Sequence, residues 1–228
     1  MKALFIRCYG KLTADMMIGG LIDMGVPPVY LKSKLKDAGL PDNFIEKPNP
    51  KAQISAHYFH IPPQGDKPLL LKQADLFRIW KDICSKGAPE WEETGWKVFS
   101  ALTAGVSHAI DEIPADVVDL RRAGVSEENL ISLYLFLACL DYLDVETLFT
   151  CPFTISKGET EAGKSSAAIL TDAVSTVGKE VPAEDVDPFA AAMLEGLSAA
   201  FMPMDGRFLT DRTAYGSSSA EKPTGDNT

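Results

Sequence analysis

Histidine is scarce in this chain of 228 residues. His57, His60 and His108 are the whole supply, too few for a histidine-rich metal cluster. Cysteine is nearly as sparse: Cys8, Cys84, Cys139 and Cys151 are scattered, with no Cys-x-x-Cys pair. Three of the four sit in apolar stretches, as reduced buried thiols do. Long hydrophobic runs are missing too. No uninterrupted apolar stretch reaches the ~20 residues a membrane span needs. The most apolar segment, Leu130 to Leu143, is broken by Ser132 and Asp141 and reads as a buried helix. Positive charge is in deficit, with 22 Lys and Arg against 32 Asp and Glu, a net charge of -10. Such a surface repels nucleic-acid phosphates and anionic lipid, so neither nucleic acid nor a membrane is an expected partner. Arg7 interrupts any signal-peptide core and no small-residue cleavage site follows, so a cytoplasmic location is expected. There is no Gly-x-Ser-x-Gly, no credible catalytic triad and no internal repeat.

Apolar residues make up 46% of the chain, enough for a sizeable core. Residues 3–8 read as a buried strand ending near Gly10. Met16, Met17, Leu21 and Met24 recur at helical spacing, predicting a helix over 13–24 stopped by Gly25. Pro28 and Gly39 bracket a second helix over 28–38. The aromatic, β-branched run 53–61 predicts a strand closed by Pro62-Pro63. Helices follow over 72–86, 90–109 and 127–143, the last with Ser126 as its cap. Then come a strand over 147–155, helices over 165–177 and 188–201, and a short strand near 207–210. Asp187 caps the later helix, with Pro188 at its first position. The pattern predicts an α/β fold: a mixed sheet packed with helices in a single domain over 1–215, with a disordered C-terminal tail over 216–228.

Four features could carry chemistry. Asp15 sits at a strand-to-helix turn; it either stabilises the first helical turn or coordinates a metal or orients a ligand at the strand's carboxyl end. His57 and His60 fall on opposite faces of their strand, so they cannot share a metal and read as structural. His108, about 120° from the stripe formed by Val98, Leu102 and Val106, belongs near the surface at a helix C-terminus. Gly158 to Ser165 (GETEAGKS) fits the phosphate-loop pattern, with Gly163, Lys164 and Ser165 as its working end. Against it, Glu159 and Glu161 put negative charge where phosphates would sit, and no unbroken strand ending in Asp follows to hold magnesium. Cys8 reads as a packed thiol, and Ser165-Ser166 as a helix cap.

Several segments together resemble the N-terminal part of the LarC family, the nickel insertion proteins of nickel-pincer cofactor biosynthesis. Met1 to Val26 (MKALFIRCYGKLTADMMIGGLIDMGV) is similar to that family's first strand, its Ser-Gly-Ile-Ser-Gly-Asp-Met turn and the following helix, with Cys8, Asp15, Met16, Gly19, Leu21, Asp23 and Gly25 matching. Leu140 to Glu146 (LDYLDVE) is similar to Leu-Asp-Tyr-Leu-Gly-Val-Glu, and Phe208 to Thr213 (FLTDRT) resembles Glu-Leu-Thr-Thr-Pro-Thr-Gly. The order and spacing of these segments carry the resemblance, which runs over most of residues 1–215.

The resemblance implies CTP-dependent nickel insertion into a pyridinium pincer precursor by a nickel cyclometallase, a lyase. Nickel, CTP and a magnesium or manganese ion would take part. The partners would be the nickel-pincer nucleotide precursor or a separate C-terminal LarC-like chain. Asp15 is the matched residue for a catalytic or metal role, and His108 falls where the family has a Val-His-Gly. Departures are equally specific. The family's Val-His-Phe-His-Glu-Val-Gly falls on Asp119 to Val125 (DLRRAGV), its first-strand Asp on Arg7 and its His-Gly on Ala162-Gly163. A site without those imidazoles and carboxylates binds nickel weakly. Two alternatives stand beside the family reading: a non-catalytic LarC-like binding module, and a P-loop nucleotidase using Gly158 to Ser165.

Overall fold

The first strand, β1 (Ala3–Ile6), is followed by helix α1 (Ala14–Asp23), whose amino end is closed by Thr13 accepting a hydrogen bond from the Met16 amide at 3.2 Å. Helix α2 (Pro28–Asp37) begins on proline, as its fixed φ favours. Strands β2 (Ile45–Asn49) and β3 (Ala56–His60) come next, then α3 (Gln73–Gly87), a 3₁₀ turn (Pro89–Trp91) and α4 (Glu92–Ala109). A second 3₁₀ turn (Leu120–Ala123) leads to α5 (Glu128–Leu143), β4 (Thr147–Thr150), β5 (Phe153–Ile155) and α6 (Glu161–Ile169). The chain continues through β6 (Lys179–Val181), a 3₁₀ turn (Ala183–Asp185), α7 (Pro188–Gly196), β7 (Ala200–Phe201) and β8 (Gly216–Ser217). This computed structural model describes residues 2–8, 10–49, 56–63, 72–110, 116–170, 179–197, 199–203 and 208–217.

The expected α/β class with helices on sheet is what the chain adopts, but the sheet is divided. β1, β4 and β7 form a parallel sheet in the order β1-β4-β7, with Ala3 opposite Thr147 and Phe149 opposite Ala200. β3 lies between an antiparallel β2 and a parallel β8. β5 and β6 make a separate parallel pair. The single strand expected over 147–155 is therefore two. Pro152 has no amide hydrogen to continue a ladder, and the chain changes sheets there.

Helix α5 is apolar nearly all round. Every residue from Leu130 to Cys139 is buried, which makes it the central helix against which α1 and α2 pack. Around it, Trp80 of α3, Phe99 of α4 and Phe189 of α7 are fully buried, with Phe99 edge-on to Trp80 at 5.7 Å and 6.4 Å from Phe189. The expected stripe of Val98, Leu102 and Val106 is buried, and His108 is exposed, as its angle from that stripe requires.

Other boundaries differ from the sequence reading. The helix expected over 165–177 begins at Glu161 under a Thr160 cap, while Ser165 and Ser166 lie inside it and hydrogen-bond back to the Glu161 and Ala162 carbonyls; residues 171–177 lie outside those described. The helix expected to reach 201 ends at Gly196 and gives way to β7. Ser126 does not cap α5; instead the Asn129 side chain accepts from the Ser126 amide at 2.7 Å. Of the strand expected over 207–210, residues 208–210 have no regular structure. Residues 53–55 lie outside the described set, and β3 starts at Ala56. Gly216 and Ser217, expected in the tail, are paired to His57 and Tyr58 instead; residues 218–228 lie outside the described set.

Candidate functional site

The β1–α1 turn, the end of β3, and the amino ends of α5 and α7 enclose a cavity of about 320 Å³. Lys11, Thr13 and Asp15 contribute from the first of these, His60 and Ile61 from the second, Ser126, Asn129 and Ser132 from the third, and Asp187 from the last. Three helix amino ends thus converge on one space, each a source of partial positive charge. The α1 end is held by Thr13, the α7 end by Asp187, whose carboxylate accepts from the Phe189 amide at 2.6 Å and the Ala190 amide at 3.3 Å.

Asp15 is the meeting point. Its Oδ2 lies 3.1 Å from His60 Nδ1, and its Oδ1 lies 3.5 Å from the Ser132 hydroxyl. Burial pushes the Asp15 carboxyl above its ordinary range, and the contacts with His60, Ser132 and the Ile61 amide pull back against that rise. Asp187 is also pushed up by burial; the amides it caps oppose the shift, Asp15 adds to it, and Lys11 counters it. Three carboxylates (Asp15, Glu128 and Asp187), one imidazole and one ammonium therefore surround the same space, and burial favours the protonated form of Asp15 and Asp187. Such a set can bind a cation, hold a polar ligand or exchange a proton.

The close fit of α1 on β3 depends on glycine. A methyl at Gly19 would lie 2.5 Å from the His57 carbonyl oxygen, and one at Gly216 would lie 1.7 Å from the Met16 carbonyl oxygen. Bare backbone at both positions lets α1 sit on β3 and β8 with Asp15 within reach of His60.

Of Asp15, His108, Gly163, Lys164 and Ser165, only Asp15 lines this cavity. His108 stands exposed near the end of α4 and is not among the lining residues. Gly163, Lys164 and Ser165 lie in α6, elsewhere in the fold. There the Glu184 carboxylate accepts from the Glu159 amide at 2.6 Å and the Thr160 amide at 3.4 Å, so a built-in anion already fills the seat beside the loop. Gly163 N–H is taken by the Thr160 hydroxyl at 3.0 Å, Ser165 is fully buried, and Glu161 pairs with Arg122. Those neighbours hold the Glu161 and Glu184 carboxyls below the usual range.

His60 was read as structural, and the structure puts it in the cavity. Its alternation with His57 is as expected: His57 Nε2 pairs with Glu46 at 2.6 Å, while His60 pairs with Asp15. Asp187, Lys11 and Ser132 were missed as lining residues. Asp187 was legible as a cap, and nothing local marks the cavity it faces. The segment Asp119 to Val125, where the family carries its histidine and glutamate, ends on the same wall through Gly124. Asp119 there pairs with Arg121 at 2.7 Å, which holds its carboxyl below the usual range.

Among the described residues, no helix is long and apolar enough to cross a membrane, and no group of three or more His, Cys, Asp or Glu side chains gathers as a closed metal site. A family model described as nickel insertion protein matches residues 4–228. A relative from Synechococcus sp. (strain JA-3-3Ab), provisionally named a nickel insertion protein, is 26% identical over 98% of this chain and 58% of its own length. One from Thermomicrobium roseum, named in the same way, is 25% identical over 98% of this chain and 56% of its own. A third, from Staphylococcus epidermidis, is named pyridinium-3,5-bisthiocarboxylic acid mononucleotide nickel insertion protein and is 22% identical over 96% of this chain and 56% of its own. The chain thus spans little more than half the length of these relatives. No solved structure matches it.

Proposed function

Because this chain belongs to the nickel insertion protein family, we propose that it takes part in inserting nickel into a pyridinium bisthiocarboxylate mononucleotide, and that the cavity at Asp15 is where that substrate is held. The observation that carries the reading is convergence. The family-like turn bearing Asp15 and the segment ending at Gly124, which stands where the family has its His-Phe-His-Glu motif, line one wall-to-wall space. A volume of about 320 Å³ lies at the lower end of the range for small-molecule sites. Nickel is cargo in this reading. Among the described residues no three His, Cys, Asp or Glu side chains gather to hold a resident ion, and the single imidazole in the cavity suits a metal in transit whose other donors are the substrate's sulfurs. CTP, carried with magnesium or manganese, supplies the driving reaction in this proposal. A separate chain resembling the family's C-terminal part completes the enzyme, a lyase working in the cytoplasm.

The test supplies the chain with nickel, the bisthiocarboxylate mononucleotide and CTP with magnesium, with and without the C-terminal half of a relative, and follows nickel in the nucleotide by mass spectrometry. Incorporation that needs CTP and falls at least tenfold in Asp15→Ala is expected. A nickel-free nucleotide in both mixtures refutes the proposal. One observation favours a second reading, a binding module without turnover: the segment Asp119 to Val125 has exchanged imidazole and carboxylate ligands for an internal Asp119–Arg121 pair. That module binds the mononucleotide and leaves nickel untransferred.

A further inference from the structure

We propose that His60 is the protein's nickel donor, coordinating through Nε2, and that Asp15 is its positioning residue rather than a ligand. This deepens the reading above and takes the identity of the cation from it.

A carboxylate accepting at Nδ1 fixes the imidazole with its proton on that nitrogen, which leaves Nε2 as a lone-pair donor on the opposite edge of the ring. Metal-bound histidines are held in this way, with the second ring nitrogen donating to a carboxylate. Among the described residues, no group hydrogen-bonds His60 Nε2. The ring lines the cavity, and its side chain is 37% exposed. His57 is oriented by a carboxylate through its other nitrogen, Nε2 on Glu46 at 2.6 Å, and does not line the cavity. His108 has no part in the cavity. Of the chain's three imidazoles, only His60 joins an oriented ring, an open nitrogen and a ligand-sized space. Lys11 and Asp187 line the same space with opposite charge, and Ser132 and the Ile61 amide hold Asp15 from behind. A single nitrogen donor leaves the remaining nickel positions to the two thiocarboxylate groups of a bisthiocarboxylate substrate. The site therefore hands nickel over rather than storing it.

The experiment titrates the intact chain with nickel sulfate and follows its three imidazoles by proton–nitrogen NMR. His60 signals broaden first, before those of His57 and His108, and the nitrogen shifts report a proton on Nδ1. His60→Gln removes this first binding event, measured by competition with a chromophoric chelator. Asp15→Ala weakens it roughly 10–100-fold, the usual effect of losing a ligand's orienting partner. Asp15→Asn retains an acceptor oxygen and restores the proton to Nδ1, together with most of the affinity. A purely structural Asp15 would not give that rescue. His108 broadening ahead of His60, or unchanged nickel affinity in folded His60→Gln, overturns the proposal. If His60 binds nickel but no nickel reaches the nucleotide, this assignment stands and the insertion reading fails. If insertion proceeds unchanged in His60→Gln, the assignment fails and the insertion reading stands.

Discussion

Gly19→Ala tests the joint on which the site depends. The new methyl would lie 2.5 Å from the His57 carbonyl oxygen, where ordinary contact begins at 3.4 Å. The obstacle is backbone of a strand paired on both sides, so it cannot swing aside as a side chain would. Relief comes only if α1 retreats from β3 by up to about 0.9 Å, an overpacking that costs about 1–3 kcal/mol. In a chain of this size each kcal/mol lowers the melting temperature by roughly 2–4 °C. Asp15 lies one turn before Gly19 on the same side of α1. Its contact with His60, 3.1 Å in the native chain, therefore stretches toward about 4 Å, beyond hydrogen-bond reach. Urea unfolding measures the first effect, and the His60 imidazole nitrogen shifts measure the second. An unfolding free energy within about 0.5 kcal/mol of the parent, with His60 unmoved, would refute the reasoning.

Four other outcomes follow from the same contacts. Phe99→Ala removes a fully buried ring from among Phe77, Trp80 and Phe189 and should cost about 3–5 kcal/mol in urea unfolding. Asp144, left-handed at φ 56° where the resembling family has glycine, gives a more stable protein as Asp144→Gly by about 0.5–1 kcal/mol, since its exposed pairing with Lys2 contributes little. Lys164→Ala leaves ATP and GTP affinity unchanged, because the neighbouring amides are already satisfied by Glu184 and Thr160; a clear loss of affinity would restore the phosphate-loop reading. Asp15 and Asp187 both have folded pKa values raised by burial. Between the unfolded value, near 4, and the folded one, the native state binds more protons. The stability these groups confer is thus complete below the unfolded value and lost as pH rises through the folded one. Unfolding free energies across that window should fall less steeply in Asp15→Asn/Asp187→Asn than in the parent.

Much of the fold was legible because its signals are local. Thr13 before α1, Pro28 at the start of α2 and Asp187-Pro188 at α7 are capping chemistry, and each helix starts where it was expected. The dense apolar run of α5, interrupted only by Ser132 and Asp141, could hardly be anything but central. What escaped was set by pairing at a distance. β2 (IEKPN) carries charge and proline and has no strand pattern of its own; it is a strand because β3 lies beside it. β8 is two small residues whose place is fixed by β3 and by the lack of a side chain at Gly216.

The site failed in the same way. Strand alternation correctly separated His57 from His60, yet alternation says only that two side chains part company, not what each one meets. His60 meets Asp15, 45 positions earlier, because α1 crosses that face of β3, and α1 can cross it because positions 19 and 216 carry no side chain. Gly19 had been matched to the family as part of a helix pattern. Its physical meaning, a methyl-sized clearance between α1 and the backbone of β3 at His57, becomes readable only once the strand beneath it is in place. The absence of the family's own histidines from Asp119 to Val125 therefore does not empty the cavity of ligands. In the proposed assignment, His60, oriented by the matched Asp15, is the nitrogen donor that the segment Asp119 to Val125 lacks.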